Sequence, residues 1–217
     1  NTTGDYNSAS GYTALYSNTT GVRNVASGYT ALYNNTTGGY NTASGHAALQ
    51  ANTEGDKNTA IGFSTLEANT SGNYNSASGS RALQSNTTGD YNTASGYQAG
   101  DVITTGSDNT IIGFSADPSA LDASNQIVIG KGATGLGDNY AVIGNADVTR
   151  VYAAQDAGAT LYAGGLNIGG TAVTADAAEL NYVDGVTSNI QTQLDAKGTA
   201  SNVTGLSDAL VEDNSLY

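Results

Sequence analysis

The sequence predicts an all-β fold: a parallel β-solenoid, or β-roll, followed by a short β-rich connector and a short coiled-coil stalk. Three observations lead to this prediction. The opening line NTTGDYNSASGYTALYS returns with a 17-residue step, glycine and asparagine recur at fixed places in it, and the apolar residues keep the same register. A fixed period is typical of stacked structural units, and 17 residues suit one coil of short strands rather than a helical hairpin.

Glycine marks each coil of the predicted solenoid, which we assign to residues 1–145. Glycine allows a positive φ, and an asparagine side chain bonds to nearby backbone, so both are natural corner residues. The turn signal is N-T-T-G, as at residues 35–38. The glycines that keep the step are Gly11, Gly28, Gly45, Gly62, Gly79 and Gly96, and the step continues to Gly113 and Gly130.

A second asparagine follows the turn in every coil, three residues after the turn glycine. Like residues of stacked coils lie about 4.8 Å apart, so these side chains are expected to form amide ladders along the solenoid. In such a ladder each buried amide forms hydrogen bonds with the equivalent amide of a neighbouring coil. The predicted ladder consists of Asn7, Asn24, Asn41, Asn58, Asn75 and Asn92.

Two apolar columns supply a narrow core. One holds Ala9, Ala26, Ala43, Ala60, Ala77 and Ala94, and the other holds Leu15, Leu32, Leu49, Leu66 and Leu83, with Gly100 in the sixth coil. One large side chain in each coil buries little surface, and at roughly 25 cal/mol per Å2 this barely offsets the ordering entropy of the coil. Because oligomerisation is the usual remedy for a thin core, we expect a multimer.

The later coils are richer in β-branched residues, with Ile111 and Val128 in the alanine column. The step from Gly130 to Gly144 shortens to 14 residues, and the solenoid is expected to end soon after it. The stretch that contains Pro118 is interpreted as a protruding loop between coils.

The repeat is lost in the carboxy-terminal third, where residues 146–174 are interpreted as a β-rich connector. Short runs at Val148–Tyr152, Ala159–Tyr162 and Leu166–Ile168 are predicted strands, the last two closed by glycines. Such strands could interleave among three chains.

A change of period then predicts a helical coiled-coil stalk over residues 175–198. Residues 176–179 resemble a capping box, and the positions that follow step by three and four residues. The trimer stalk is assigned to Leu180, Val183, Ile190 and Leu194. About two and a half heptads are marginal alone, so we expect the stalk to form where a trimeric rod holds its chains together. Residues 199–217 are expected to be a short helical or irregular tail that leads into a further module.

Two stretches resemble the YadA-type head repeat, whose signature is similar to N-x-V/T-A-I-G-x-x-A: Asn58–Gly62 and Ala141–Gly144. That repeat is known from trimeric autotransporter adhesins and from tail fibres of marine bacteriophages, and residues 171–194 are similar to segments common in phage fibre proteins. Together the resemblances cover most of the chain. They imply a left-handed parallel β-roll, three chains side by side and attachment to a cell surface. The chain departs from the family in its dominant step, 17 rather than 14 residues, and in the Ala-Ser-Gly of five of its first six coils.

Composition argues against several functions. The net charge is −13 with six Lys and Arg residues, which disfavours nucleic acid because phosphate contacts need a basic surface. The chain has no cysteine, which excludes disulfides and cysteine-based metal sites, and no apolar run long enough for membrane insertion. The only histidine, His46, takes a tyrosine position of the repeat and is interpreted as a variant of that column. Asp5, Asp56 and Asp90 share a column, and a solvated turn is preferred there over a calcium site. We therefore expect no catalytic residue, no cofactor and no metal.

Tyrosines stand in two columns, which hold Tyr6, Tyr40, Tyr74 and Tyr91 and then Tyr12, Tyr29 and Tyr97. Aligned rings are expected to form aromatic ladders. Exposed rings would suit stacking on the sugar rings of a surface polysaccharide, whereas rings between chains would hold a trimer together. The second interpretation is preferred. The N-T-T and N-T-S asparagines match the glycosylation sequon, but their place in a repeat column favours a structural role.

The sequence thus predicts an extracellular, non-enzymatic structural protein, a homotrimeric bacteriophage tail fibre segment that extends toward and attaches to a host cell surface. Its expected partners are other fibre or virion modules and cell-surface glycan. A bacterial extracellular adhesin or self-assembling surface filament is an alternative. An ice-binding β-solenoid is a second alternative, although the column after the second asparagine is too irregular in threonine to favour it.

Overall fold

The structure, a computed structural model, describes residues 2–151, 166–168 and 171–173. The chain divides into two compact units, Asn1–Val151 and Tyr152–Tyr217. Every regular element among the described residues is a β-strand, and nine of these strands stack in the first unit as a parallel β-solenoid of about eight turns. The predicted all-β fold and the β-solenoid are therefore confirmed.

Each strand of the solenoid is three residues long and pairs in parallel with the strand one coil on. The strands are β1 Ser8–Ser10, β2 Val25–Ser27, β3 Thr42–Ser44, β4 Thr59–Ile61, β5 Ser76–Ser78, β6 Thr93–Ser95, β7 Thr110–Ile112, β8 Ile127–Ile129 and β9 Ala141–Ile143. Their order in the sheet is their order in the chain. The register steps by 17 residues from Ala9 opposite Ala26 onward and by 14 at the end, where Val128 lies opposite Val142. At about 4.8 Å between strands, the nine strands extend about 38 Å along the solenoid axis.

The middle residue of each strand from β2 to β8 faces the core, and its two neighbours face outward. These middle residues are at most 2% exposed: Ala26, Ala43, Ala60, Ala77, Ala94, Ile111 and Val128. The leucine column completes the core, with Leu15 at 6% and the next four leucines at 0% exposure. Both apolar columns are therefore core columns, as the periodicity predicts, except at Ala9 in the first coil, which is exposed.

The leucines occupy an unusual backbone conformation. Leu15, Leu32, Leu49, Leu66 and Leu83 have φ between 50° and 55°, in the left-handed region. That region costs an L-residue roughly 1–2 kcal/mol, so burial of the side chain and bonding between coils must offset it. The backbone N–H of Leu32, for example, donates to the carbonyl of Ala48 at 3.0 Å. In the sixth coil Gly100 takes this position, and Ile103 packs against the space that a leucine would fill.

The glycines that mark the step form tight corners where successive coils approach closely. From Gly11 to Gly113 their φ values lie between 134° and 145°. A Cβ built at any of them would lie 2.1–2.7 Å from the carbonyl oxygen of the glycine one coil on. Both the conformation and the contact therefore require glycine.

Two sequence interpretations of the later residues are wrong. The Pro118 stretch does not protrude: Pro118 is buried, and the N–H and carbonyl of Asp117 bond to Ala133 and Gly135 one coil on, so the coil wall continues unbroken. The strand predicted from Val148 does not form over residues 148–151: the chain turns at residues 146–147, where the N–H of Val148 donates back to the carbonyl of Asn145 at 3.1 Å, and residues 148–151 have no regular structure.

In the second unit the described residues form one antiparallel pair. β10, Leu166–Ile168, coincides with a predicted connector strand, and β11 is Thr171–Val173, with Leu166 opposite Val173. The predicted strand at 159–162, the predicted tail, and the stalk residues Leu180, Val183, Ile190 and Leu194 lie outside the described residues.

Candidate functional site

Buried asparagines of the N-T-T-G turns form a continuous amide ladder. At each step the Nδ2 of one asparagine donates to the Oδ1 of the asparagine one coil earlier at 2.8 Å, and to the carbonyl of its own turn glycine at 2.9–3.0 Å. The ladder runs through Asn18, Asn35, Asn52, Asn69 and Asn86, all at most 2% exposed. It ends because Ile103 takes the next position, and the Oδ1 of Asn86 has no partner among the described residues. Burial of these amides also removes them from the surface as glycosylation sites.

The second asparagine of each coil, predicted to form an amide ladder, links coils mainly through the backbone. The Oδ1 of each asparagine from Asn7 to Asn92 accepts the backbone N–H of its copy one coil on at 2.8–3.1 Å. Its Nδ2 donates to a turn glycine carbonyl 14 residues later at 2.7–2.8 Å. Direct amide-to-amide bonds join Asn75 to Asn58 and Asn109 to Asn92. Each of these side chains therefore bridges two coils at two points.

The aspartate column bonds to backbone N–H groups of the preceding coil. Asp56 accepts from the N–H of Gly39 and Asp90 accepts from the N–H of Asn73, each at 2.6 Å. In a later coil Asp138 accepts from the N–H of Ser124 at 2.8 Å, and this bond lowers the pKa of the Asp138 carboxyl. Over the described part of the chain, no three acidic or imidazole side chains cluster so as to hold a metal ion.

Exposed aromatic rings follow the corner glycines and stack on one another; we call this column the corner ladder. Tyr12, Tyr29, His46 and Phe63 stack with centroids 5.0–5.1 Å apart and planes within 19° of each other. Ser80 stands at the next position. The column resumes with Tyr97 and Phe114 at 5.2 Å. His46 therefore acts as one rung among aromatic neighbours.

Stacking limits what the corner ladder can bind. A ring inside the ladder has a neighbour on each face, so only its edge is turned to solvent. Binding of a sugar by an aromatic ring uses a ring face, because the C–H groups of the sugar meet the negative π surface. Open faces therefore remain only at the two ends of the ladder and where it is interrupted, and only the interruption leaves two faces opposite each other.

The other tyrosine column alternates rings with cations from Tyr6 to Tyr74, and Tyr74 then stacks directly on Tyr91 at 4.9 Å. The Arg23 guanidinium lies 5.5 Å from the centroid of Tyr6 and 5.1 Å from that of Tyr40. The Lys57 Nζ lies 4.5 Å from the centroid of Tyr74 and bonds to the Tyr74 hydroxyl, which raises the pKa of Lys57. Between Tyr6 and Tyr91, the two positions of this column that lack a ring are thus filled by positive charge, which aromatic faces attract.

The outward side chains of the last strands form an aliphatic face. Ile112, Ile129 and Ile143 are aligned in register on β7, β8 and β9, and Ile127 lies beside them. Their exposures are 40%, 36%, 59% and 43% in that order. Earlier strands carry mostly serine and threonine at these positions, so the aliphatic face is confined to one end of the sheet.

Two further features, a groove and a half-buried carboxyl group, carry polar or ionisable side chains. An open groove of about 600 Å3 runs along Ala51, Ala68 and Ser85, where Gln84 donates to Glu67 at 2.8 Å. Half-buried Asp117 has a pKa raised to about 6, chiefly by burial and then by the charge of Asp101. The described residues include no helix long and apolar enough to cross a membrane.

Comparison with known proteins adds no relative to these observations. No family model matches the chain, and no curated protein or solved structure matches it.

Proposed function

We propose that the chain is a non-enzymatic structural segment of a fibre, a homotrimeric part of a bacteriophage tail fibre that extends toward a host cell surface and attaches to it. The observation that carries the proposal is the unbroken stack of bonded columns from β1 to β9. Within it, the hydroxyl of Thr36 donates to the carbonyl of Thr53 at 2.9 Å, and the same bond recurs from coil to coil. A stack bonded in this way holds its two ends about 38 Å apart, as a spacer requires.

Association of several chains is supported by the aliphatic face and by the thin core. Four exposed isoleucines on adjacent strands form a contiguous apolar surface, which on a soluble protein marks an interaction site. Burying that face between chains would add hydrophobic stabilisation that the alanine-rich coils lack. The YadA-type resemblance and the predicted stalk favour three chains.

A bacterial adhesin or self-assembling surface filament uses the same architecture and is the alternative proposal. The ice-binding alternative receives less support, since the outward positions of the sheet mix serine, valine, threonine and isoleucine rather than repeating threonine pairs.

Sedimentation equilibrium of the full chain at micromolar concentration tests the assembly. The proposal expects the mass of three chains, and it expects Ile129→Ser with Ile143→Ser to shift that mass toward one chain. Ile61→Ser, which removes an equally exposed isoleucine from an early strand, is the matched control and leaves the mass unchanged. A wild-type chain that sediments as a monomer contradicts the trimer.

Adsorption of fluorescently labelled chain to a panel of bacterial cells tests attachment. Saturable binding to particular strains supports the fibre. A trimer that binds no cells but grows into longer assemblies supports the filament alternative instead.

A further inference from the structure

The corner ladder lacks one rung, at Ser80. Phe63 stands one coil before it and Tyr97 one coil after it. β4, β5 and β6 keep their register across this point, so the coils stack evenly and the two rings are two coil steps, about 10 Å, apart. Since occupied rungs of the same column are 5.0–5.2 Å from their neighbours, the space above Ser80 has the width of one ring. We call this space the rung slot.

Both walls of the rung slot are held in place from behind. His46 stacks on the far face of Phe63 at 5.0 Å, and Phe114 stacks on the far face of Tyr97 at 5.2 Å. The floor is fixed by backbone bonds between coils: Arg81 N–H donates to the Phe63 carbonyl at 2.8 Å, and Gln98 N–H donates to the Ser80 carbonyl at 3.0 Å. The slot is therefore preorganised, which lowers the entropic cost of binding.

The walls, the floor and the surroundings of the rung slot differ in chemistry. Its walls are two aromatic faces, and its floor is the short hydroxyl side chain of Ser80. Arg81, the next residue, is exposed, and its guanidinium makes no hydrogen bond, ion pair or ring contact with the described residues. In the other tyrosine column the equivalent gaps are filled by Arg23 and Lys57, so an open gap beside an unpaired cation is a local exception.

We propose that the rung slot binds one six-membered sugar ring that carries a carboxylate, as in a uronic acid unit of an acidic surface polysaccharide. A pyranose has C–H faces and a hydroxyl rim, so its faces match Phe63 and Tyr97 and its rim matches the hydroxyl of Ser80. The carboxylate is bound by the Arg81 guanidinium, whose planar fork suits a carboxylate. A flat aromatic ligand would instead turn a C–H edge toward the hydroxyl. The inference rests on the proposed attachment to a cell surface and names the ligand of that attachment.

The test is a calorimetric titration of the full chain with a galacturonic acid tetramer. Ser80→Tyr closes the rung with a side chain that the column already holds at Tyr29 and Tyr97, so the fold is retained. Loss of two aromatic faces is expected to weaken binding about tenfold or more. Ser80→Ala keeps the slot open and stays within about threefold of the wild type. Phe63→Ala removes one wall without adding volume and is also expected to weaken binding.

Charge selection is tested with Arg81→Gln. This variant is expected to lose about tenfold in affinity for the acidic tetramer, and to bind a neutral galactose tetramer as the wild type does. Lys131→Gln is the matched control and leaves both affinities unchanged, because Lys131 is an exposed cation that follows Phe114 in the corner-ladder column, three coils from Ser80.

Two results overturn the inference: a wild-type chain that does not bind the acidic tetramer, or a Ser80→Tyr variant that binds it as tightly as the wild type. Either result leaves the proposed function standing if the chain is trimeric and adsorbs to cells. A monomeric chain that adsorbs to no cell overturns the proposed function instead, even where the tetramer still binds.

Discussion

In the coils up to Gly96 the buried alanine column is accompanied by two columns of buried asparagine, whereas β7, β8 and β9 carry Ile111, Val128 and Val142 in that column. The N-T-T-G amide ladder has by then ended at Asn86. The outward positions change as well, from mostly serine and threonine to isoleucine. The early coils thus pair most of their buried amides with one another or with backbone, while the late coils expose apolar surface that suits contact with another chain.

The difference shows that one backbone path can be stabilised in two ways. An amide ladder is favourable only while each member has a copy on either side, because a buried amide without a partner costs about 1–3 kcal/mol. The ladder incurs this free-energy cost at its end, where the Oδ1 of Asn86 has no partner. Branched side chains have no such requirement, so the late coils tolerate a change of step from 17 to 14 residues.

The largest effect is expected at an early corner. In Gly45→Ala the new Cβ would lie 2.1 Å from the carbonyl oxygen of Gly62, at a φ of 145°, so the coils must separate. We expect a loss of about 4 kcal/mol or more in the free energy of unfolding, measured by urea denaturation. The control is Gly132→Ala in a late turn, where φ is 60° and a Cβ would meet nothing within 4 Å. It should cost only about 1 kcal/mol, the strain of the conformation alone.

Ile111→Ala gives a late coil the alanine of the early coils. Because Ile111 is fully buried beside Gly100, the variant is expected to leave a cavity and lose about 2–4 kcal/mol. Ile112→Ala, its exposed neighbour, should lose less than about 1 kcal/mol in the single chain. Equal losses in the two variants would mean that the late coils do not depend on their larger core.

Asn52→Ala breaks the early ladder in the middle. It removes the donor to Asn35 Oδ1 and the acceptor of Asn69 Nδ2, both buried, so thermal and urea unfolding should show a loss of about 2–3 kcal/mol. Asn34→Ala, at an exposed position beside the turn of the preceding coil, should change stability by less than about 0.5 kcal/mol. If Asn52→Ala leaves the free energy of unfolding unchanged, water replaces the lost amide hydrogen bonds. The early coils then do not depend on their amide ladder, and the contrast with the late coils is wrong.

The columns of the solenoid could be predicted because a period fixes which residues stack. Gly45, Ala43 and Leu49 lie where the 17-residue step places them. The period does not fix side-chain direction, so it could not show that Asn52 bonds to its copies while Asn58 bonds mainly to backbone.

The candidate site could be predicted only to the same extent, because the period does not fix side-chain direction. The tyrosine columns predicted stacked rings, but the rung slot depends on which faces are covered, a geometric fact. One sequence signal marks the rung slot: serine stands at position 80 in a column that is otherwise held by rings through Phe114. The left-handed leucines had one signal, Gly100 in the same column, because glycine favours a positive φ; leucine itself is held in that conformation by its packing and by bonds from neighbouring coils.

The smallest effect is a pH dependence confined to the late coils. Burial, and then the charge of Asp101, raises the pKa of Asp117 from 3.8 to about 6. Above pH 6 the carboxylate is charged in both states, and the folded state bears the cost of burying it. As the pH falls from about 7 to about 4, the folded chain takes up a proton before the unfolded chain does, so the free energy of unfolding rises.

Asp117→Asn should therefore raise the free energy of unfolding at pH 7.5, by on the order of 1 kcal/mol because the group is only half-buried. The variant should also flatten the dependence of the free energy of unfolding on pH between pH 4 and 7. Asp138→Asn is the control of opposite sign. Its carboxyl has a lowered pKa, so its contribution to stability is present above about pH 4 and is lost only as the pH falls further. Thermal unfolding followed at several pH values separates the two. If the wild-type slope between pH 4 and 7 survives Asp117→Asn, another group carries it, and the late coils contain a titration that Asp117 does not explain.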